Sequence, residues 1–316
     1  MTLERSHLLL TALSSSIEAG KAILEVYASD FKVDYKDDRS PLTQADRRSH
    51  EIISRCLVAA GTARGGAQFP ILSEEGKEIT YAIRKSWDTF WLVDPLDGTK
   101  EFLKRNGEFT VNIALIEGAR PVMGVIFAPV LNVVYYAWRG LGSYRLNIDQ
   151  GFTISGDPAD HIRSERKLRE ILDRSQKLAP LAAPVPGARI SAIGSRSHGS
   201  EEFNRFVETL RKTYDPVEII SAGSSLKFCL VAEGKADLYP RFGPTMEWDT
   251  AAGQIIAEEA GAVVRKMDSD EPLVYNKESL LNPWFMVESR SSRIPCSLQQ
   301  GASNEGEGKE CKNRSR

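Results

Sequence analysis

Two acids three positions apart, Asp94 and Asp97, stand in the run Trp91-Leu92-Val93-Asp94-Pro95-Leu96-Asp97-Gly98-Thr99-Lys100-Glu101-Phe102. Carboxylates this close repel one another unless a cation lies between them. An apolar strand should end at Asp94, because the proline after it has no N–H to give a sheet ladder. Gly98 lets backbone N–H groups approach an anion, and the chain from Thr99 can open a helix whose N-terminus attracts phosphate. The local expectation is a metal ion and a phosphate at one strand end. The rival reading is a tight turn that uses Asp-Pro-Leu-Asp-Gly for its geometry alone.

Further acids stand at similar boundaries. Glu74 and Glu75 close the short apolar run Phe69-Pro70-Ile71-Leu72, Asp46 follows Thr43-Gln44-Ala45, and Asp249 lies in Glu247-Trp248-Asp249-Thr250-Ala251-Ala252 at a helix start. Taken singly, Asp46 and Asp249 read equally well as capping or solvated acids. As a set they offer oxygen ligands with no histidine or cysteine beside them, which favours a hard cation, Mg²⁺ before Zn²⁺. The spacing of Asp94 and Asp97 suits a carboxylate shared by two ions, which can stabilise both the attacking and the leaving oxygen of phosphoryl transfer. A Walker A segment is absent, so nucleotide hydrolysis of the P-loop kind is not supported.

These acids need elements to position them, and 316 residues are enough for one large or two ordinary domains. A content of 41% apolar and 27% charged residues fits a soluble globular chain, and a net charge of -2 gives no reason to expect nucleic acid or an anionic membrane as partner. Cys56, Cys229, Cys296 and Cys311 show no metal-ligand spacing and no disulfide framework, which favours a reducing compartment. No stretch reaches the roughly 18 apolar residues of a spanning helix. The expectation is a cytoplasmic protein without stable membrane insertion, with a peripheral position on the cytoplasmic face of the inner membrane left open.

The periodicity predicts helices over 3–29 and from Asp46 to Gly61, a strand at Phe69–Leu72, and an antiparallel meander over 109–147. Up to residue 155 this is an α+β pattern. Residues 156–188 are first charged, with a helix expected over Arg163–Lys177, and then Pro/Ala-rich. They read as an insertion or linker between subdomains, with a lid as one option. From 189 to 289 strands and helices alternate as in an α/β layered sandwich, with a helix expected at Ser224–Glu233. The polar tail 290–316 is expected to be disordered.

Three segments in this order resemble the signature motifs of the inositol monophosphatase superfamily of Mg²⁺-dependent, Li⁺-sensitive phosphatases. They are Leu72-Ser73-Glu74-Glu75, Asp94-Pro95-Leu96-Asp97-Gly98-Thr99, and Trp248-Asp249-Thr250-Ala251-Ala252 with Glu259-Ala260-Gly261. Further segments resemble its CysQ branch, the 3′(2′),5′-bisphosphate nucleotidases. These are Thr99-Lys100-Glu101-Phe102 with Arg105-Asn106-Gly107-Glu108-Phe109, Ser195-Arg196-Ser197-His198, Gly223-Ser224-Ser225-Leu226-Lys227-Phe228-Cys229, and Tyr239-Pro240-Arg241-Phe242-Gly243-Pro244-Thr245. The resemblance implies a phosphatase fold of alternating α-β-α-β-α layers and hydrolysis of the 3′-phosphate of adenosine 3′,5′-bisphosphate, a by-product of sulfate assimilation, to AMP and phosphate.

The resemblance also implies roles. Glu74, Asp94, the Leu96 carbonyl, Asp97 and Asp249 would bind two or more Mg²⁺ ions, and the Asp97-Gly98-Thr99 backbone would hold the scissile phosphate. Glu74, Leu96 and Asp249 would thereby border the substrate. Thr99 paired with Asp46 would orient or deprotonate the water that attacks in line. His198, Ser224, Lys227 and Arg241 would surround the nucleotide. From the residues alone, Ser224 is equally an ordinary N-cap, Lys227 and Arg241 solvated surface charges, and His198 a turn residue. Two alternatives stand beside the nucleotidase: an inositol or sugar monophosphatase, and a catalytically idle nucleotide-binding regulator. The oligomeric state is not legible.

Overall fold

Leu9, Leu13 and Ile17 recur at helical spacing and are buried, so the first helix, α1 (Leu3–Tyr27), lies against a core along that stripe. The computed structural model describes residues 3–29, 33–35, 41–62, 68–149, 154, 161–182, 184–195, 200–269 and 271–289. A short antiparallel pair, β1 (Val33–Tyr35) and β2 (Pro41–Thr43), leads into α2 (Gln44–Thr62). Then come β3 (Ile71–Ser73), α3 (Tyr81–Arg84), β4 (Thr89–Asp97), α4 (Thr99–Leu103), β5 (Thr110–Glu117), β6 (Arg120–Ala128), β7 (Val133–Trp138), β8 (Gly142–Asn147), α5 (His161–Arg174) and β9 (Gln176–Lys177). The strands β3 to β9 form one seven-stranded sheet in chain order, antiparallel except for the parallel pair β3–β4. The expected meander over 109–147 is β5 to β8.

The second sheet alternates with helices: β10 (Ile190–Ser195), α6 (Glu201–Leu210), β11 (Val217–Ala222), α7 (Leu226–Ala232), β12 (Leu238–Arg241), α8 (Glu247–Ala260), β13 (Ala262–Lys266) and β14 (Phe285–Ser289). Its order is β11-β10-β12-β14-β13. The strand β10 runs parallel to β11 and β12, and β14 runs antiparallel to β12 and β13.

Side-chain alternation along the strands separates the layers. Trp91, Val93, Val111 and Ile113 pack with α1, α2 and α5. Phe90, Leu92, Ala114 and Ile126 point the other way, into a core shared with α7, α8 and the near face of the second sheet. Ile190, Ala192, Leu238 and Met286 on its far face cover Phe206 and Leu210 of α6. The fold is thus the expected α-β-α-β-α layered sandwich. At Gly124 of β6 an added Cβ would lie 2.5 Å from Ile255 and 2.6 Å from the Ala252 carbonyl, so α8 rests directly on strand backbone.

The charged segment after residue 155 carries α5, whose Leu168 and Ile171 enter the α1–α2 core. That helix lies on the face of the first sheet opposite α7 and α8. Residues 156–160 and the expected tail 290–316 lie outside the described residues. No helix among the described residues is long and apolar enough to cross a membrane.

Candidate active site

In a strand of period two, Asp94 and Asp97 would face opposite sides of the sheet. They do not, because β4 does not end at Asp94 as the proline suggested. The register pairs Asp94 with Asn112 and Asp97 with Thr110, three residues on β4 against two on β5. The extra residue is a β-bulge, which reverses the parity and brings both acids onto the face toward α7 and α8. Proline is tolerated here because a bulged residue owes no ladder bond. The Leu96 N–H donates to Asp94 Oδ1 at 3.0 Å, and Ser49 of α2 donates to the Pro95 carbonyl at 2.7 Å. The bulge is therefore braced on both sides of the sheet.

The parallel neighbour β3 brings Glu74 alongside, its N–H donating to the Val93 carbonyl at 3.1 Å. Asp249 arrives from the first turn of α8, where its Oδ2 accepts the Met246 N–H at 2.8 Å. Asp46 is held in the same way at the start of α2. Its Oδ2 accepts the Thr43 N–H at 2.8 Å and the Thr43 hydroxyl at 2.5 Å, while Thr43 Oγ1 accepts from the Ala45 N–H. Both acids use one oxygen to close a helix N-terminus and keep the other for different work. The free oxygen of Asp46, Oδ1, accepts from the Thr99 hydroxyl at 3.4 Å, and that hydroxyl lies equally far from the Leu96 carbonyl.

A cavity of about 240 Å³ is lined by Glu74, Asp94, Leu96, Asp97, Gly98, Thr99, Ser224, Lys227, Arg241 and Asp249. Burial pushes the Asp94 carboxyl well above the usual carboxylate range, and Glu74, Asp97 and Asp249 add to this by repulsion. Burial does the same to Asp249, with Asp97 and Glu74 next in weight. Asp46 is raised too, by burial, against the opposing effect of its bonds to Thr43. Lys227 is buried, its amine pushed down to about 8 by desolvation. Its Nζ donates to the Ser224 carbonyl at 2.5 Å and stands 5.7 Å from the Tyr239 ring centroid.

The donor set suits a hard divalent cation: it is all-oxygen, Asp94 is buried, and its carboxylates repel one another. Among the described residues, no three acidic, histidine or cysteine side chains already form a closed coordination shell. The acids converge on the cavity without collapsing onto one point.

The structure brings together every predicted site residue except two. Asp46 stands behind Thr99 rather than in the cavity wall, and His198 lies outside the described residues. A second expectation needs correction: Ser224 does not begin a helix. It has a left-handed backbone with φ of 47°, Ser225 is the N-cap, and α7 starts at Leu226. With seven residues in α7 and five in α4, neither helix is long enough to present a strong anion-attracting terminus. Lys227 is a core residue, not a solvated surface charge. Sequence reasoning passed over Glu101, Ser225, Tyr239 and Thr245 in the cavity wall, and Thr43 and Asn112 behind it. Glu101, Ser225, Tyr239 and Thr245 did stand in the motif runs, but nothing in their spacing marked a side-chain direction.

Comparison with known proteins gives a consistent pattern. The model of the inositol monophosphatase family matches residues 4–293. The 3′(2′),5′-bisphosphate nucleotidase CysQ of Salmonella typhimurium is 42% identical over 271 residues, 85% of this chain and 94% of that protein. The protein of the same description from Escherichia coli strain K12 is 42% identical over 272 residues, with the same coverage of each chain. The crystal structure of CysQ from Bacteroides thetaiotaomicron, described as a bacterial member of the inositol monophosphatase family, superposes with a TM-score of 0.75 at 48% identity. It covers 89% of this chain and 97% of that one.

Proposed function

The chain belongs to the inositol monophosphatase family, and we propose that within it the protein is a metal-dependent 3′(2′),5′-bisphosphate nucleotidase. Its reaction would remove the 3′-phosphate of adenosine 3′,5′-bisphosphate to give AMP and phosphate, in sulfate assimilation. The observation that carries this reading is one cavity whose wall holds both the acids Glu74, Asp94, Asp97 and Asp249 and the cations Lys227 and Arg241. A substrate with two phosphates needs both: a cation site for the phosphate that reacts, and fixed positive charge for the one that does not.

In this reading Glu74, Asp94, the Leu96 carbonyl, Asp97 and Asp249 hold two or more Mg²⁺ ions, which supply charge neutralisation at the phosphoryl oxygens and acidify water. The chain's own residues do the rest. Gly98, with φ of 90°, lets the Asp97–Thr99 backbone turn tightly beside the scissile phosphate. The Thr99 hydroxyl accepts a hydrogen from the attacking water while its own proton points to Asp46 Oδ1. Asp46, with its raised affinity for a proton, is a suitable final acceptor. Ser224, Lys227 and Arg241, with His198, hold the nucleotide. Attack is in line and forms no covalent phosphoenzyme. Residues 1–155 supply most of the metal site and 189–289 supply Asp249 and the nucleotide contacts, with 156–188 joining them.

The substrate is a small dissolved molecule, so the reading calls for no membrane surface and places the enzyme in the cytoplasm. Its test is phosphate release with Mg²⁺ from the bisphosphate nucleotide and from inositol 1-phosphate side by side. A higher kcat/KM for the nucleotide supports it; a higher value for inositol 1-phosphate replaces it with a sugar monophosphatase.

A further inference from the structure

Ser225 occupies the N-cap of α7, where a serine side chain ordinarily accepts a backbone N–H of the first turn. It makes no such bond. Ser225 is only 2% exposed, and its hydroxyl is spent elsewhere. Ser225 Oγ lies 2.6 Å from Asp97 Oδ2 and 2.8 Å from the Asp249 carbonyl, and accepts from Asn112 Nδ2 at 2.8 Å. Asn112 is itself oriented, because its Oδ1 accepts from the Thr110 hydroxyl at 3.0 Å, and its Nδ2 reaches Asp97 Oδ2 at 3.4 Å. One oxygen thus ties together β4, β5, α7 and the first turn of α8, across the seam between the two sheets.

We propose that Ser225, oriented by Asn112, is a positioning residue that fixes Asp97 relative to Asp249 and so sets the affinity of the site for its divalent cation. The inference rests on the reading of Asp97 and Asp249 as cation ligands. A hydroxyl has one proton and two acceptors here, since Asn112 fills the donor side. With no cation beside Asp97, the charge-assisted bond to the carboxylate is favoured. When a cation neutralises Asp97, the proton can turn to the Asp249 carbonyl without a heavy atom moving. The two ligands are therefore held at one separation in both states, and the repulsion between buried acids does not have to be overcome by reorganising them at the moment of binding.

The test is Mg²⁺ titration of the full metal-free chain by calorimetry, for the wild type, Ser225→Ala, Asn112→Ala and the double variant. The Kd for Mg²⁺ should rise on the order of 10-fold in Ser225→Ala. The double variant should be weaker than Ser225→Ala by less than Asn112→Ala alone is weaker than wild type, because both act through one carboxylate. At saturating Mg²⁺, kcat should fall far less than the affinity does. Ser225→Ala protein that is folded by circular dichroism and binds Mg²⁺ within twofold of wild type would overturn the inference, even if its melting temperature has dropped. If Ser225→Ala does not fold, Asn112→Ala decides on the same readout. Wild-type protein that binds no Mg²⁺ would overturn the reading of the site and the inference with it.

Discussion

Asp94 and Asp97 share one face of β4 because that strand carries one residue more than β5 between them. The bulge gathers negative charge beside Glu74 and Asp249, and this has opposite consequences for stability and for activity. Asp94→Asn should lower kcat/KM by at least ~10³-fold, since it removes a carboxylate from the set that holds the cation. In EDTA the same substitution should raise the melting temperature by roughly 2–4 °C, because it relieves repulsion among buried acids. Thermal melts with and without Mg²⁺ check both halves.

The acids also predict how stability varies with pH when metal is removed. Asp94 and Asp249 bind protons more tightly folded than unfolded, chiefly through burial. Raised carboxyl pKa values contribute stability that is complete below the unfolded value of about 4 and is lost as pH rises through the folded values. In EDTA the melting temperature should therefore fall as pH rises above about 4. The stabilisation produced by Mg²⁺ should grow over the same range. Calorimetric scans across pH read both trends.

Lys227 gives the opposite sign. Burial lowers its amine from 10.5 to about 8. The folded protein binds this proton less tightly than the unfolded chain, so the buried amine destabilises the fold below that value, and the destabilisation is relieved as pH rises toward 10.5. Its charge is lost over the same interval, and KM for the bisphosphate nucleotide should rise above about pH 8. Lys227→Met should show a high KM that is flat across this range, and should impair turnover of inositol 1-phosphate far less. Steady-state kinetics from pH 7 to pH 10 provide the comparison.

Thr43 acts on Asp46 from outside the cavity. Thr43→Val removes the hydroxyl bond that fixes Asp46 Oδ2, along with the bond it offers the Ala45 N–H. The helix should lose about 1 kcal/mol. We expect kcat to fall on the order of 10-fold with little change in KM, because Asp46 Oδ2 then keeps only the residue-43 N–H to hold it toward Thr99. Urea unfolding separates the stability loss from the catalytic one.

Gly124→Ala tests how α8 is seated. Its new Cβ would meet Ile255 and the Ala252 carbonyl at 2.5 and 2.6 Å, and the second contact is backbone that cannot rotate aside. Overpacking of this kind costs about 1–3 kcal/mol. Since α8 carries Asp249, Mg²⁺ affinity should fall together with stability, as chemical denaturation and calorimetric titration would record.

Much of this architecture was legible in the residues. The meander at 109–147 showed strand periodicity, and the acids stood at element ends where turn chemistry marked them. What could not be read was direction. Asp94-Pro95 looked like the end of a strand, because a proline stops a regular ladder but not a bulged one. Ser224 looked like a cap, but its left-handed backbone passes that position to Ser225. Lys227 could have been a surface charge, since nothing in Ser225-Leu226-Lys227-Phe228 tells whether α7 is covered on both sides. Asn112 carried no signal in a run of apolar strand residues, although its register opposite Asp94 places it under the site. Each of these depends on pairing across elements far apart in sequence.

The most direct test of the account is phosphate release from adenosine 3′,5′-bisphosphate by the purified protein, measured with Mg²⁺ and after its removal by EDTA. The account predicts rapid release of the 3′-phosphate that stops with EDTA, returns on adding Mg²⁺, and exceeds release from inositol 1-phosphate in kcat/KM by at least ~10-fold. Hydrolysis that continues undiminished in EDTA, or a preference for inositol 1-phosphate, would contradict it.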